Sequence, residues 1–141
     1  MAPSAKPSWT SHPPRVGNII TCLYPGDPKG RLRPVLVLET QAGSGGSFAV
    51  RVAYGTKSLD TETRGKIDLI IDDAADIDEC GLAVATRFNL EQTATIPWEP
   101  PLCDCWRGYN SPILGELPVA QQIACAFKLR NIQQKNENRS R

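Results

Sequence analysis

Histidine is almost missing from this chain: His12 is the only one in 141 residues. Its scarcity removes the side chain that most often moves protons near neutral pH, and with it any Ser-His-Asp set or Cys–His pair. It also leaves the cysteines, Cys22, Cys80, Cys103, Cys105 and Cys125, without the partner that completes many zinc sites. Cys103 and Cys105 are the only close pair, and one intervening residue is not zinc-knuckle spacing. Free thiols are therefore expected, with no metal and no other cofactor. The acidic stretch of Asp72, Asp73, Asp76, Asp78 and Glu79 lacks the spacing of a calcium loop and reads as a solvated face. The Gly-rich phosphate loop of nucleotide enzymes is absent as well. No apolar run approaches a membrane span, so no membrane partner is expected. Residues 1–14 lack the apolar centre of a signal peptide, and the odd cysteine count adds to the expectation of a reducing cytoplasm. Net charge is only +1. The overall field selects no partner, and any site for an anion must be a local patch.

What is present is enough for one compact domain, since 40% of the residues are hydrophobic. Residues 1–16, rich in Pro, Ser and Lys, are expected to form a disordered arm. Residues 17–132 are expected to form the folded domain, and the polar residues 133–141 a flexible tail. Within the domain, residues 17–24 are apolar and β-branched and predict a strand. Residues 25–30 are a Pro/Gly turn cluster. Val35, Leu36, Val37 and Leu38 form a continuous apolar run, which predicts a strand buried on both faces. Gly and Ser mark residues 41–47 as a hairpin loop. Strands are expected at 48–54, 66–71 and 82–88, with a shorter piece at 93–97. Residues 55–65 read as an exposed loop, and 72–79 as at most a short helical turn. Prolines then punctuate an irregular stretch holding Trp98, Trp106 and Tyr109. Val119, Ile123, Ala126, Phe127 and Arg130 recur at helical spacing, which predicts an amphipathic helix over 117–132. Several short strands followed by one helix imply a small, strongly bent sheet or barrel.

Three segments carry residues suited to phosphate or nucleobase chemistry. Lys29, Arg31 and Arg33 cluster beside Gly26 and Gly30, where glycines allow close approach and cations suit a phosphate. Arg33 precedes Pro34, which biases it toward extended backbone at the mouth of the strand. A solvated turn is the alternative. Thr56, Lys57 and Ser58 follow Tyr54 and Gly55 at the end of another strand, offering hydroxyls, a lysine and backbone N–H groups; an ordinary strand exit is the alternative. Arg87, Phe88 and Asn89 combine a cation, an aromatic ring and an amide, a mixture suited to single-stranded RNA. The alternative there is a strand with Phe88 in the core.

These three segments, in this order, resemble the MazF/PemK toxin family over about residues 17–98. That pattern has a Gly-led strand, a Pro-x-x-Gly turn, an Arg-Pro followed by a Val/Leu run, and a strand ending in a small residue and threonine. Pro28 to Gly30, Arg33-Pro34-Val35-Leu36-Val37-Leu38 and Val52-Ala53-Tyr54-Gly55-Thr56 match it. Gly81-Leu82 and Thr86 to Leu90 fit more loosely. The resemblance implies a mainly β fold with a C-terminal helix, a small SH3-like β-barrel of the PemK/CcdB type, and a homodimer. It implies a type II toxin: a metal-independent endoribonuclease that cuts single-stranded RNA through a 2′,3′-cyclic phosphate and is neutralised by a cognate antitoxin protein. By motif match Arg33, Thr56 and Arg87 are the catalytic residues. Lys29, Arg31, Lys57, Ser58, Phe88 and Asn89 are the substrate-binding set. Two positions depart from the pattern. Asn89 stands where the PemK-like branch has a carboxylate, and an amide is no base at neutral pH. Gly55 replaces a threonine that some relatives carry. A non-catalytic module binding nucleic acid or protein on the same barrel is the competing expectation. A third is an accessory protein that anchors a partner peptide on Trp98, Trp106 and Tyr109.

Overall fold

The computed structural model describes residues 6–59 and 67–139. Its strands are β1 (Asn18–Cys22), β2 (Arg33–Ala42), β3 (Phe48–Thr56), β4 (Asp68–Ile71), β5 (Thr86–Pro97) and β6 (Ile113–Glu116). Helix α1 (Ala74–Glu79) lies between β4 and β5, and α2 (Val119–Arg139) follows β6. The strands form one antiparallel sheet in the order β4-β5-β3-β2-β1-β6. No helix among the described residues is long and apolar enough to cross a membrane.

The sheet is covered on both faces, and β2 shows why. Val35 and Val37 enter one cluster, Leu36 and Leu38 the other, and none of the four is more than 6% exposed. The two-residue alternation of a strand sends successive side chains to opposite faces. An unbroken apolar run is what a doubly covered strand requires, as the sequence predicts. One core lies under the helices and joins Ile19, Leu36, Ala53, Leu69, Phe88, Leu117 and Cys125, with Leu129 and Ile132 packed against it. The opposite core joins Ile20, Val35, Val37, Val50, Val52 and Ile96 with Trp9, Trp98 and Cys103.

Trp9 corrects the expected arm. Part of residues 1–16 is docked: Ser8–Ser11 form a 3-10 turn, and Trp9 is buried. Its ring meets Trp98 edge-on, with centroids 4.8 Å apart, and its carbonyl accepts the Trp98 indole N–H at 3.0 Å. A composition argument sees Pro and Ser. It misses that one indole fills the open end of the second core and satisfies the polar atom of another.

Other elements shift from the sequence reading for local reasons. The separate pieces expected at 82–88 and 93–97 are one strand, β5, whose register slips between Ala53 and Tyr54 of β3. Residues 82–85 lie outside it. β2 continues to Ala42, so Gln41 is in a strand and not in the hairpin loop. β6, unforeseen among the prolines, pairs with β1. Lys66, the expected start of a strand, lies outside the described residues. The helical turn expected at 72–79 is α1, capped by Asp73, whose carboxylate accepts from the N–H groups of Ala75 and Asp76 at 3.1 and 3.3 Å.

Helix α2 starts later and runs further than expected, so residues 133–139 of the expected tail are helical. It also faces the other way. Val119, Ile123 and Phe127 are 71, 67 and 63% exposed, while Ala124, Cys125, Leu129 and Ile132 meet the core. Both sets have helical spacing, and the second is the one that packs toward β4 and β5.

Candidate functional site

The three catalytic candidates come from three adjacent strands. Arg33 opens β2, Thr56 ends β3 and Arg87 is the second residue of β5. Thr56 and Arg87 are direct cross-strand partners. Leu36 pairs with Ala53 and Val37 with Val52, and extending that register brings Arg33 level with Thr56. Alternation puts all three on the face of Val35 and Val52. Two strand spacings separate the backbones of Arg33 and Arg87 by about 10 Å.

Arg33 is held from several sides. Its Nη1 donates to the Tyr54 hydroxyl, and its guanidinium lies 5.5 Å from the centre of that ring. Asp27, from the turn before β2, places Oδ1 3.7 Å from Nη1. The Asp27 side chain is only 2% exposed, and its Oδ2 is buried with no hydrogen-bond partner among the described residues. Tyr54 packs edge-on against Tyr24 at 5.0 Å, and burial pushes the Tyr24 phenol above its ordinary pKa. Arg33 is thus a fixed cation and not a loop residue searching solvent.

Arg87 is held in a similar way. Its Nε donates to the Ser58 carbonyl at 3.0 Å, and Nη1 lies 3.7 Å from the fully buried carboxylate of Asp68. Thr56 Oγ1 accepts the Ser58 N–H at 3.2 Å, leaving the hydroxyl proton available to a ligand. The 56–58 turn therefore ties the hydroxyl to the second arginine.

A cleft of about 400 Å³ opens at this end of the sheet. Arg31, Arg33, Thr56 and Lys57 line it together with Gly55, Val84 and Trp106. Arg31 and Lys57 are exposed. A larger hollow of about 440 Å³ lies along α2 and contains none of the candidate residues. Gly55 is required by packing: a Cβ there would meet the Pro34 carbonyl at 2.6 Å and the Phe88 ring at 2.9 Å. A side chain at this position has no room.

Two of the expected substrate contacts are corrected. Phe88 is fully buried in the core beneath the helices, so it has no face for a base. Asn89 supports the backbone: its Oδ1 accepts the N–H groups of Glu91 and Gln92 at 3.0 and 3.2 Å, fastening the β5 irregularity. Lys29 and Ser58 are exposed but outside the cleft lining, and Arg87 is outside it as well. Sequence reasoning missed Asp27, Asp68 and Tyr54. A lone Asp68 inside the apolar run Ile67-Asp68-Leu69-Ile70-Ile71 was a usable signal, because a buried carboxylate demands a cation. Asp27 and Tyr54 gave none.

Four of the five cysteines are buried thiols. Burial pushes Cys22 and Cys80 up to about 12 and Cys125 to about 11, and raises Cys103 as well. Among the described residues no group of three or more potential ligands is placed to hold a metal ion. No protein-family model matches the chain, and no curated protein matches it.

Proposed function

We propose that this chain is a toxin-type endoribonuclease on an SH3-like barrel, cutting single-stranded RNA without a metal. The observation that carries the reading is the row of Arg33, Thr56 and Arg87 across three adjacent strands, with Arg33 and Thr56 lining the cationic cleft and Arg87 paired to Thr56 but outside that lining. The 2′-oxygen bonds to the adjacent phosphorus as its proton passes to water, and the P–O5′ bond breaks as the 5′-oxygen takes a proton from water, giving a 2′,3′-cyclic phosphate and a 5′-hydroxyl. Charge builds on the phosphorane oxygens, where two pre-positioned guanidiniums stabilise it most. Thr56 donates to a non-bridging oxygen. A cytoplasmic homodimer restrained by an acidic antitoxin that covers these loops belongs to the same proposal.

A binding-only module is the second reading, and one arrangement favours it. Asp27 and Asp68 face arginines, and Asn89 is an amide engaged by its own backbone. None of the three is a ready proton acceptor. Incubating the protein with a long single-stranded RNA in EDTA separates the two. Discrete fragments ending in cyclic phosphate, lost in Arg33→Ala, support the enzyme. Intact RNA at high protein excess eliminates it and leaves the binding module.

A further inference from the structure

We propose that Trp106 is a stacking platform for one unpaired nucleobase, with the adjoining phosphate held by Arg33 and Thr56. The inference rests on RNA being the ligand of the cleft, but not on cleavage. Trp106 belongs to neither core cluster and lines the cleft beside Arg31, Arg33, Thr56 and Lys57. Its indole N–H is already used, donating to the Leu32 carbonyl at 3.2 Å. Its ring meets Tyr109 edge-on, with centroids 5.9 Å apart and planes at 77°. The ring is therefore fixed between the Leu32 carbonyl and Tyr109, and what it has left to offer a ligand is a π-face.

The occupant follows from the charge around it. The cleft lining has three cations, Arg31, Arg33 and Lys57, and no carboxylate. A proline-rich peptide would use the indole but not the cations, and a free phosphate would use the cations but not the indole. A nucleotide uses both. The base must be unpaired, because a duplex hides its π-faces within the stack. Trp106 thus supplies the aromatic contact that the sequence reading assigned to Phe88.

Trp9 and Trp98 are 7% and 1% exposed, so a bound base quenches mainly Trp106 emission. The probe is a short mixed-sequence 2′-O-methyl oligoribonucleotide, whose blocked 2′-oxygen forbids the cleavage step. Saturable quenching is expected with the single strand and not with its duplex. Trp106→Phe should bind within a few-fold of wild type, and Trp106→Leu roughly ten-fold more weakly or worse by anisotropy. The shielded emission of Trp9 and Trp98 reports that each variant is folded. Folded Trp106→Leu binding as wild type, equal quenching by the duplex, or no quenching would each overturn the platform. Cleavage in EDTA by Trp106→Leu with unchanged KM would also overturn it while sparing the enzyme reading. Quenching without any cleavage would do the reverse.

Discussion

Arg33→Ala should destabilise the fold more than the double variant Asp27→Ala/Arg33→Ala. At 3.7 Å and an effective dielectric of about 20, the Asp27–Arg33 attraction is about 4–5 kcal/mol before desolvation is subtracted. The two partners are buried unequally: the Asp27 side chain is 2% exposed and that of Arg33 20%. Truncating Arg33 strands a buried carboxylate, one oxygen of which already lacks a hydrogen-bond donor. Breaking such a pair costs about 3–5 kcal/mol, a large share of a stability of roughly 5–15 kcal/mol. Removing Asp27 as well deletes the stranded charge and should restore roughly 1–3 kcal/mol of that loss. Asp27→Ala alone leaves Arg33 bonded to Tyr54 and still partly in contact with water, and should be the mildest of the three. Urea titrations followed by tryptophan fluorescence measure all of this at constant slope. Equal or additive losses in the double variant would refute the reasoning. Under the proposed endoribonuclease reading the double variant separates lost cleavage from lost folding: it should not cleave RNA while regaining stability.

Four further outcomes follow from the structure. Gly55→Ala should lose roughly 1–3 kcal/mol, since its Cβ would meet the Pro34 carbonyl at 2.6 Å; an unchanged urea midpoint would contradict the packing. Asn89→Asp should keep the fold, because a carboxylate accepts from Glu91 and Gln92 equally well, whereas Asn89→Ala should lose about 1 kcal/mol; matched midpoints for the two would count against this role. Cys22 and Cys80 hold their protons to about 12 in the folded chain against 9.0 when unfolded. The unfolded state therefore binds fewer protons between those values, and stability should fall as pH rises above about 9. In native protein, Cys105, the least buried thiol, should alkylate first, and faster labelling of Cys22 would contradict the assignment.

Much of the fold was legible because strands announce themselves locally. The run Val35 to Leu38 and the β-branched stretch at Ile19-Ile20-Thr21 carry their periodicity in adjacent residues, and both are buried strands. The basic turn before β2 and the hydroxyl-bearing end of β3 were likewise visible as short segments. The sequence alone therefore determined a mainly β chain, a strand needing cover on both faces, and Arg33 at a strand mouth beside glycines. Tertiary structure decided what partners those residues meet. It brought Asp27 and Tyr54 to Arg33, sent Phe88 inward, engaged Asn89 in a bulge and turned Val119, Ile123 and Phe127 of α2 outward. It also carried Trp106 from 74 residues away to Leu32 at the cleft. Periodicity along a chain identifies the faces of an element. Which face is buried depends on the shape of the surface that arrives from elsewhere in the sequence, and that is a property of the packed sheet.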